Sequence, residues 1–257
     1  MPAAAREFTP YRAPFDEQGF VVVPDFLPKA ELAELREMMD QVRDGRLQPD
    51  RGEASEFAFQ WEPRVKDDPS IAQRDKIRIV FHLAHTHSYF WRFIQQPRLL
   101  ELVAALIGPT FNYYTDQTFF KPARHGSEVP WHQDSAYWPM VEPRVLSAWL
   151  ALDPVTVANG CVRFIPGSHR RAVPHHEIVT DNPNKLTTKP DFVDPSLEVP
   201  VEMAAGSICL HHSLTLHRSF PNTSDQPRGG MVMIFMPADL EFYQPWPFRY
   251  GFPKLRG

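Results

Sequence analysis

The feature that constrains this chain most is a change of hydrophobic period at Pro109. Beyond it, Phe111, Tyr113, Thr115, Gln117 and Phe119 alternate with Asn112, Tyr114, Asp116 and Thr118. Val145, Ser147, Trp149 and Ala151 alternate in the same way with Leu146, Ala148, Leu150 and Leu152. Period two in aromatic and β-branched residues is the pattern of strands. Further strands are expected at 199–203, 207–212, 214–218 and 230–236. Asn159-Gly160 reads as a hairpin-type turn into Cys161–Ile165.

Before Pro109 the period is mostly helical. Gly19 to Val23 reads as one short strand, after which Pro28 suits the first turn of a helix. Leu32, Leu35, Met39 and Val42 place an apolar stripe on a helix over 29–43, stopped at Asp44-Gly45. Arg46 to Gln73 reads as irregular polar surface. Helices are expected around 87–95 and 98–107, the second ended by Gly108-Pro109. The expected fold is mainly β with flanking helices, an antiparallel jelly roll in a single domain over 1–257. Its helical first third (about 1–108) braces a β core (about 109–240). A chain of 257 residues is long enough to give such a domain a proper core. The polar, Pro-bearing segment from Pro166 to Pro200 has the length of a lid or binding loop.

Composition removes several functional classes. Hydrophobic residues at 43% and charged residues at 23% describe a globular protein rather than a disordered one. A net charge of -4 offers no field for nucleic acid or an anionic membrane, which leaves a small molecule as the expected partner. No run approaches the ~20 apolar residues of a membrane span. Met1 to Arg12 lacks the apolar core of a signal peptide, and Lys254-Leu255-Arg256-Gly257 matches no simple retention or peroxisomal address. Cys161 and Cys209 sit in apolar runs without CxxC spacing, so buried free thiols and a reducing cytoplasm are expected.

Three stretches carry chemistry: Val129-Pro130-Trp131-His132-Gln133-Asp134, Leu216-His217-Arg218-Ser219, and Arg228. On a strand, residues two apart share a face, so His132 and Asp134 can offer an imidazole and a carboxylate to one ion. A ligand from a distant strand would complete one face of an octahedron and leave three positions open. That arrangement suits Fe(II) enzymes that bind an oxidisable cosubstrate and O2. A lone His-x-Asp also fits a hydrogen-bonded surface pair. Other histidines compete with it. His82 and His85 would share a helix face and could bind zinc, although no acidic residue is near them in sequence. His87, His211 and His212 lie in similar clusters, while His169, His175 and His176 fall in the polar loop, where solvation is the commoner fate.

Five motifs decide the comparison. Trp131-His132-Gln133-Asp134, Trp149-Leu150-Ala151-Leu152-Asp153, Asn159-Gly160-Cys161, Phe164-Ile165-Pro166-Gly167-Ser168-His169 and His217-Arg218-Ser219-Phe220-Pro221-Asn222-Thr223-Ser224 resemble the phytanoyl-CoA dioxygenase family in the same order. Gly19-Phe20-Val21-Val22-Val23 and its helix look like that family's opening, so the likeness covers nearly the whole chain. The resemblance implies a double-stranded β-helix core, an Fe(II) centre, and 2-oxoglutarate and O2 as cosubstrates. It implies release of succinate and CO2 with oxidation of an unactivated C–H bond. Hydroxylation is the default outcome, and desaturation, cyclisation and epimerisation use the same ligand set.

By the same resemblance, His132, Asp134 and His217 match the iron ligands. Arg228, eleven residues beyond His217, matches the arginine that grips the distal carboxylate of 2-oxoglutarate, where a planar fork suits bidentate pairing. Ser219 matches a hydroxyl joining that grip, Trp149 a pocket tryptophan, Gln117 a cosubstrate contact, and Lys76 a looser match of the same kind. Plainer readings stand beside these: Trp149 as core, Gln117 as an edge-strand polar residue, Ser219 as a turn cap, Lys76 as a solvated lysine. Two other classes remain open. A non-catalytic, cupin-like metal-binding protein would not need Arg228 and Ser219 at their distances from His217. A zinc hydrolase would need a carboxylate base, for which Glu128 is nearest in sequence.

Overall fold

The computed structural model describes residues 7–52, 54–178, 186–243 and 251–256. The expectations for the leader region up to Arg6, the final Gly257 and the middle of the 166–200 loop lie outside the described residues. In chain order the strands are β1 (Phe20–Val23), β2 (Ala58–Trp61), β3 (Ile77–Phe81), β4 (Phe111–Lys121), β5 (Val129–His132), β6 (Leu146–Ala151) and β7 (Val162–Phe164). They continue with β8 (His175–Glu177), β9 (Leu186–Thr188), β10 (Val199–Val201), β11 (Ile208–His212), β12 (His217–Ser219), β13 (Arg228–Pro237) and β14 (Lys254–Arg256). The α-helices are α1 (Arg12–Gln18), α2 (Lys29–Arg43), α3 (Leu83–Thr86), α4 (Ser88–Phe93) and α5 (Pro97–Ile107).

Two antiparallel sheets make the core. The larger runs β1-β11-β6-β13-β4-β3-β2 with β14 added on β4, and the smaller runs β10-β7-β12-β5. This is the double-stranded β-helix expected from the motifs. Alternation along each strand sorts residues between two cores. Leu146, Ala148 and Leu150 of β6, with Met231, Met233 and Phe235 of β13, meet the helices that cover the larger sheet. Trp149, Ala151, Val232, Ile234 and Cys209 point the other way, into the space between the sheets. The stripe on α2 is buried as expected, at Leu32, Leu35, Met39 and Val42.

The structure departs from the sequence reading in four places. The 46–73 stretch is not all surface: it contains β2, and Phe57, Glu62 and Val65 are buried. The first third does not only brace the core, because β1, β2 and β3 all join the larger sheet. Asn159-Gly160 is a turn with Gly160 at φ 83°, but it is not a hairpin, since β6 and β7 belong to different sheets. The even alternation read for 111–119 is broken. Tyr113 pairs with Phe235 and Thr115 with Ile234, leaving Tyr114 as an extra residue in β4. This bulge inverts the faces: Phe111 and Tyr113 pack under the helices, whereas Gln117 and Phe119 line the inter-sheet cavity.

Candidate metal centre

His132 and His217 are directly opposed across the β5–β12 ladder, with ring centroids 4.1 Å apart. Strand β5 ends at His132, and Asp134 opens a 3-10 turn (Asp134–Tyr137), so the carboxylate reaches the same side across a strand–turn junction rather than along one strand. Gln133 fixes that junction. Its side chain donates to the carbonyls of Arg171 (2.8 Å) and Leu214 (2.7 Å) and accepts from the Val173 N–H. Its backbone N–H donates to His175 Nε2 at 2.9 Å, so His175 is a bracing residue rather than a solvated one.

The donor atoms are prepared by their neighbours. His132 Nδ1 meets the Pro130 carbonyl at 2.8 Å and His217 Nδ1 meets the Thr215 carbonyl at 2.9 Å. A carbonyl only accepts, so both Nδ1 atoms carry the proton and both Nε2 lone pairs are left for a metal. Asp134 Oδ1 lies 3.6 Å from each Nε2. Its other oxygen, Oδ2, accepts from Ser147 Oγ at 2.8 Å and contacts His211 Nε2 at 3.0 Å. Ser147 and His211 are themselves opposed across β6 and β11. Burial alone would raise the Asp134 carboxyl pKa, but the imidazoles of His217, His132 and His211 outweigh it and hold the pKa well below the usual carboxylate range. Burial and the nearby His132 ring push His217 well below an ordinary imidazole, despite Asp134. An ionised carboxylate and a neutral imidazole are the states a divalent ion requires. Within the described residues, this trio is the one His/Cys/Asp/Glu group whose donor atoms could hold a metal, all lying within 4.8 Å of one another.

The trio opens onto a cavity of about 530 Å³ between the sheets. Arg228 lies on its wall, 3% exposed, with its guanidinium carbon 4.7 Å from the centroid of the Trp149 ring. Its Nε has no hydrogen-bond partner, and no described carboxylate lies in ion-pair range. Burial pushes its pKa down to about 10. A desolvated guanidinium without a paired anion is costly, and its planar fork has the shape to pair with a carboxylate. Gly230 explains how Trp149 fits, since a Cβ there would sit 2.1 Å from Trp149 Cζ2.

The cavity gathers most of the sequence-derived site: His132, Asp134, His217, Arg228, Ser219, Trp149 and Gln117 all line it. Lys76 does not. It ends a 3-10 turn (Gln73–Lys76) off the cavity wall, and Lys121 is the lysine that lines the cavity instead. Glu128 is exposed and off the wall, which removes the base of the hydrolase reading. His82 and His85 do not form a zinc pair. His82 sits in a left-handed conformation (φ 59°), its Nδ1 2.7 Å from Thr115 Oγ1, and Asp116 caps α3 through the Leu83 and Ala84 N–H groups. The contacts of Ser147 and His211 with Asp134, and the place of Lys121 on the wall, were not legible, because cross-strand and loop contacts leave no local spacing. Cys161 and Cys209 are buried and free, as expected.

The phytanoyl-CoA dioxygenase family profile matches residues 15–230. The chain belongs to that family. A phytanoyl-CoA dioxygenase domain-containing protein of Bos taurus is 26% identical over 94% of this chain and 94% of its own length. The ectoine dioxygenase of Halomonas elongata is 27% identical over 90% of this chain and 70% of its own. Among solved structures, EvdO2 from Micromonospora carbonacea var. aurantiaca, complexed with 2-oxoglutarate, superposes with a TM-score of 0.66 at 29% identity, over 92% of this chain and 93% of that one. The phytanoyl-CoA dioxygenase family is one of Fe(II)- and 2-oxoglutarate-dependent oxygenases, and the His132, Asp134 and His217 trio fits its iron. No helix among the described residues is long and apolar enough to cross a membrane.

Proposed function

We propose that this protein hydroxylates an unactivated C–H bond of a small organic molecule, converting 2-oxoglutarate to succinate and CO2. The observation that carries the reading is the placement of Arg228. A buried guanidinium lacking a carboxylate partner shares one cavity with a donor trio poised for a divalent ion. His132, Asp134 and His217 would hold Fe(II), which when bound supplies the activation of O2. Arg228 would take the distal carboxylate of 2-oxoglutarate, Ser219 would donate to it, and Trp149 would fix the guanidinium plane. Gln117 faces the same space from β4. Phe81, Tyr114, Phe119, Tyr137 and Trp138 leave the remaining wall largely apolar, which excludes water from the substrate half.

Hydroxylation, desaturation, cyclisation and epimerisation share this ligand set, so the product decides among them. A screen of neutral and zwitterionic small molecules for stimulated succinate formation, followed by turnover under isotopically labelled O2, tests the reading. Hydroxylation requires one labelled oxygen in the product. An unlabelled product two hydrogens lighter would indicate desaturation or cyclisation on the same scaffold.

A further inference from the structure

Lys121 is buried at 5% exposure on β4, at the end of the cavity where Arg228 lies. The two are direct partners across the β4–β13 ladder. Its ammonium nitrogen makes two bonds, to the Ser127 carbonyl and the Phe220 carbonyl, each 2.6 Å. Those carbonyls flank two strands of the smaller sheet. Ser127 leads into β5, which ends at His132, and Phe220 directly follows Ser219 at the end of β12, which begins at His217. One side chain of the larger sheet thus ties down the approaches to both histidine strands.

The surroundings are built around this side chain. A Cβ on Gly126 would lie 2.6 Å from Lys121 Cβ, and one on Gly160 would lie 3.1 Å from its Cδ. Asn222 Nδ2 donates to the Lys121 carbonyl at 3.1 Å, and the Asn222 N–H donates to the Gly126 carbonyl at 2.9 Å. Ser127 is held a second time by Glu62, which is fully buried and accepts from the Ser127 N–H and hydroxyl. An exposed lysine with solubility as its purpose has none of these features.

We propose that Lys121 is a positioning residue that clamps the Ser219–Phe220 end of β12 beside Arg228 and so sets the dicarboxylate end of the site. The inference rests on the functional reading above, in which that end receives 2-oxoglutarate. Loss of the clamp frees the segment bearing Ser219, whereas His132 and His217 keep their ladder pairing and their Nδ1 bonds. The effect therefore falls on cosubstrate binding and not on iron.

The test compares Lys121→Met and Lys121→Gln with the unaltered protein, measuring Fe(II) binding, 2-oxoglutarate binding to the anaerobic iron form, and steady-state succinate formation. The expected result is a KM for 2-oxoglutarate raised about tenfold or more, with kcat and iron affinity within about threefold. Lys121→Gln, which keeps a donor group on a side chain one atom shorter, should recover part of the loss and keeps the test available if Lys121→Met does not fold. An unchanged KM in a folded variant, or loss of iron and cosubstrate in parallel, overturns the inference. Failure of the unaltered iron form to bind 2-oxoglutarate would instead overturn the functional reading.

Discussion

Each ligand atom of the proposed iron site has its state set by a neighbour. The two histidines are oriented by backbone carbonyls two residues earlier, and Asp134 is oriented by Ser147 and His211. His132→Ala or His217→Ala should therefore abolish stoichiometric Fe(II) binding and turnover while circular dichroism stays unchanged. Retention of wild-type iron affinity by either variant would remove that residue from the ligand set. Ser147→Ala leaves Asp134 in place but loosens it, and loss of such an orienting contact weakens metal affinity by roughly 10–100-fold. An iron titration checks this directly. Arg228→Leu acts on the other half of the site. Losing one partner of a desolvated charge pair costs about 3–5 kcal/mol, or roughly two to three and a half decades in 2-oxoglutarate affinity, with iron binding kept. A cosubstrate titration that Arg228→Leu leaves unchanged would place the carboxylate elsewhere.

The elements turn these residues into one site through pairing and face selection. Gly230 on β13 lies under the Trp149 ring, so Gly230→Ala should overpack the inter-sheet core and destabilise the protein by roughly 1–3 kcal/mol. Displacing Trp149 should also raise the KM for 2-oxoglutarate, and thermal melts alongside kinetics would separate the two effects. The strands that carry the site were largely legible, because β6, β11 and β13 are short runs rich in apolar residues and buried on both faces, and β4 is rich in aromatic residues and threonine. The His-x-Asp and the later histidine were legible as a motif. Their direct opposition across β5 and β12 was not, since ladder register depends on distant partners. The Tyr114 bulge, the β2–β3 extension and the burial of Glu62 beside Arg78 were also hidden. Glu62 and Arg78 look like surface charges in sequence, and their mutual pairing at 3.3 Å, with Ser127 donating to Glu62 and Arg78 donating to the Glu128 carbonyl, allows both to be buried. Lys76, matched only loosely, lies off the cavity wall, whereas Lys121, which no motif singled out, lines it.

At the scale of the whole molecule, the two sheets open onto one cavity, with the metal trio and Arg228 both on its wall. Ligands that bind this cavity should stabilise the fold by mass action. Saturation at 100 times Kd contributes about 2.7 kcal/mol, which for a chain of this size raises Tm by roughly 5–10 °C. Fe(II) alone should shift the unaltered protein and Arg228→Leu equally, whereas 2-oxoglutarate should add a further shift only when Arg228 is present. Equal cosubstrate shifts in both proteins would contradict the pairing of Arg228 with the carboxylate. The most direct test is formation of succinate from 2-oxoglutarate under air, with Fe(II) and ascorbate, by the unaltered protein and by His132→Ala. The expected result is iron-dependent succinate from the unaltered protein and none above background from the variant. No succinate from the iron-loaded protein across a broad substrate screen, or equal succinate from the variant, would contradict an Fe(II)- and 2-oxoglutarate-dependent oxygenase built on His132, Asp134 and His217.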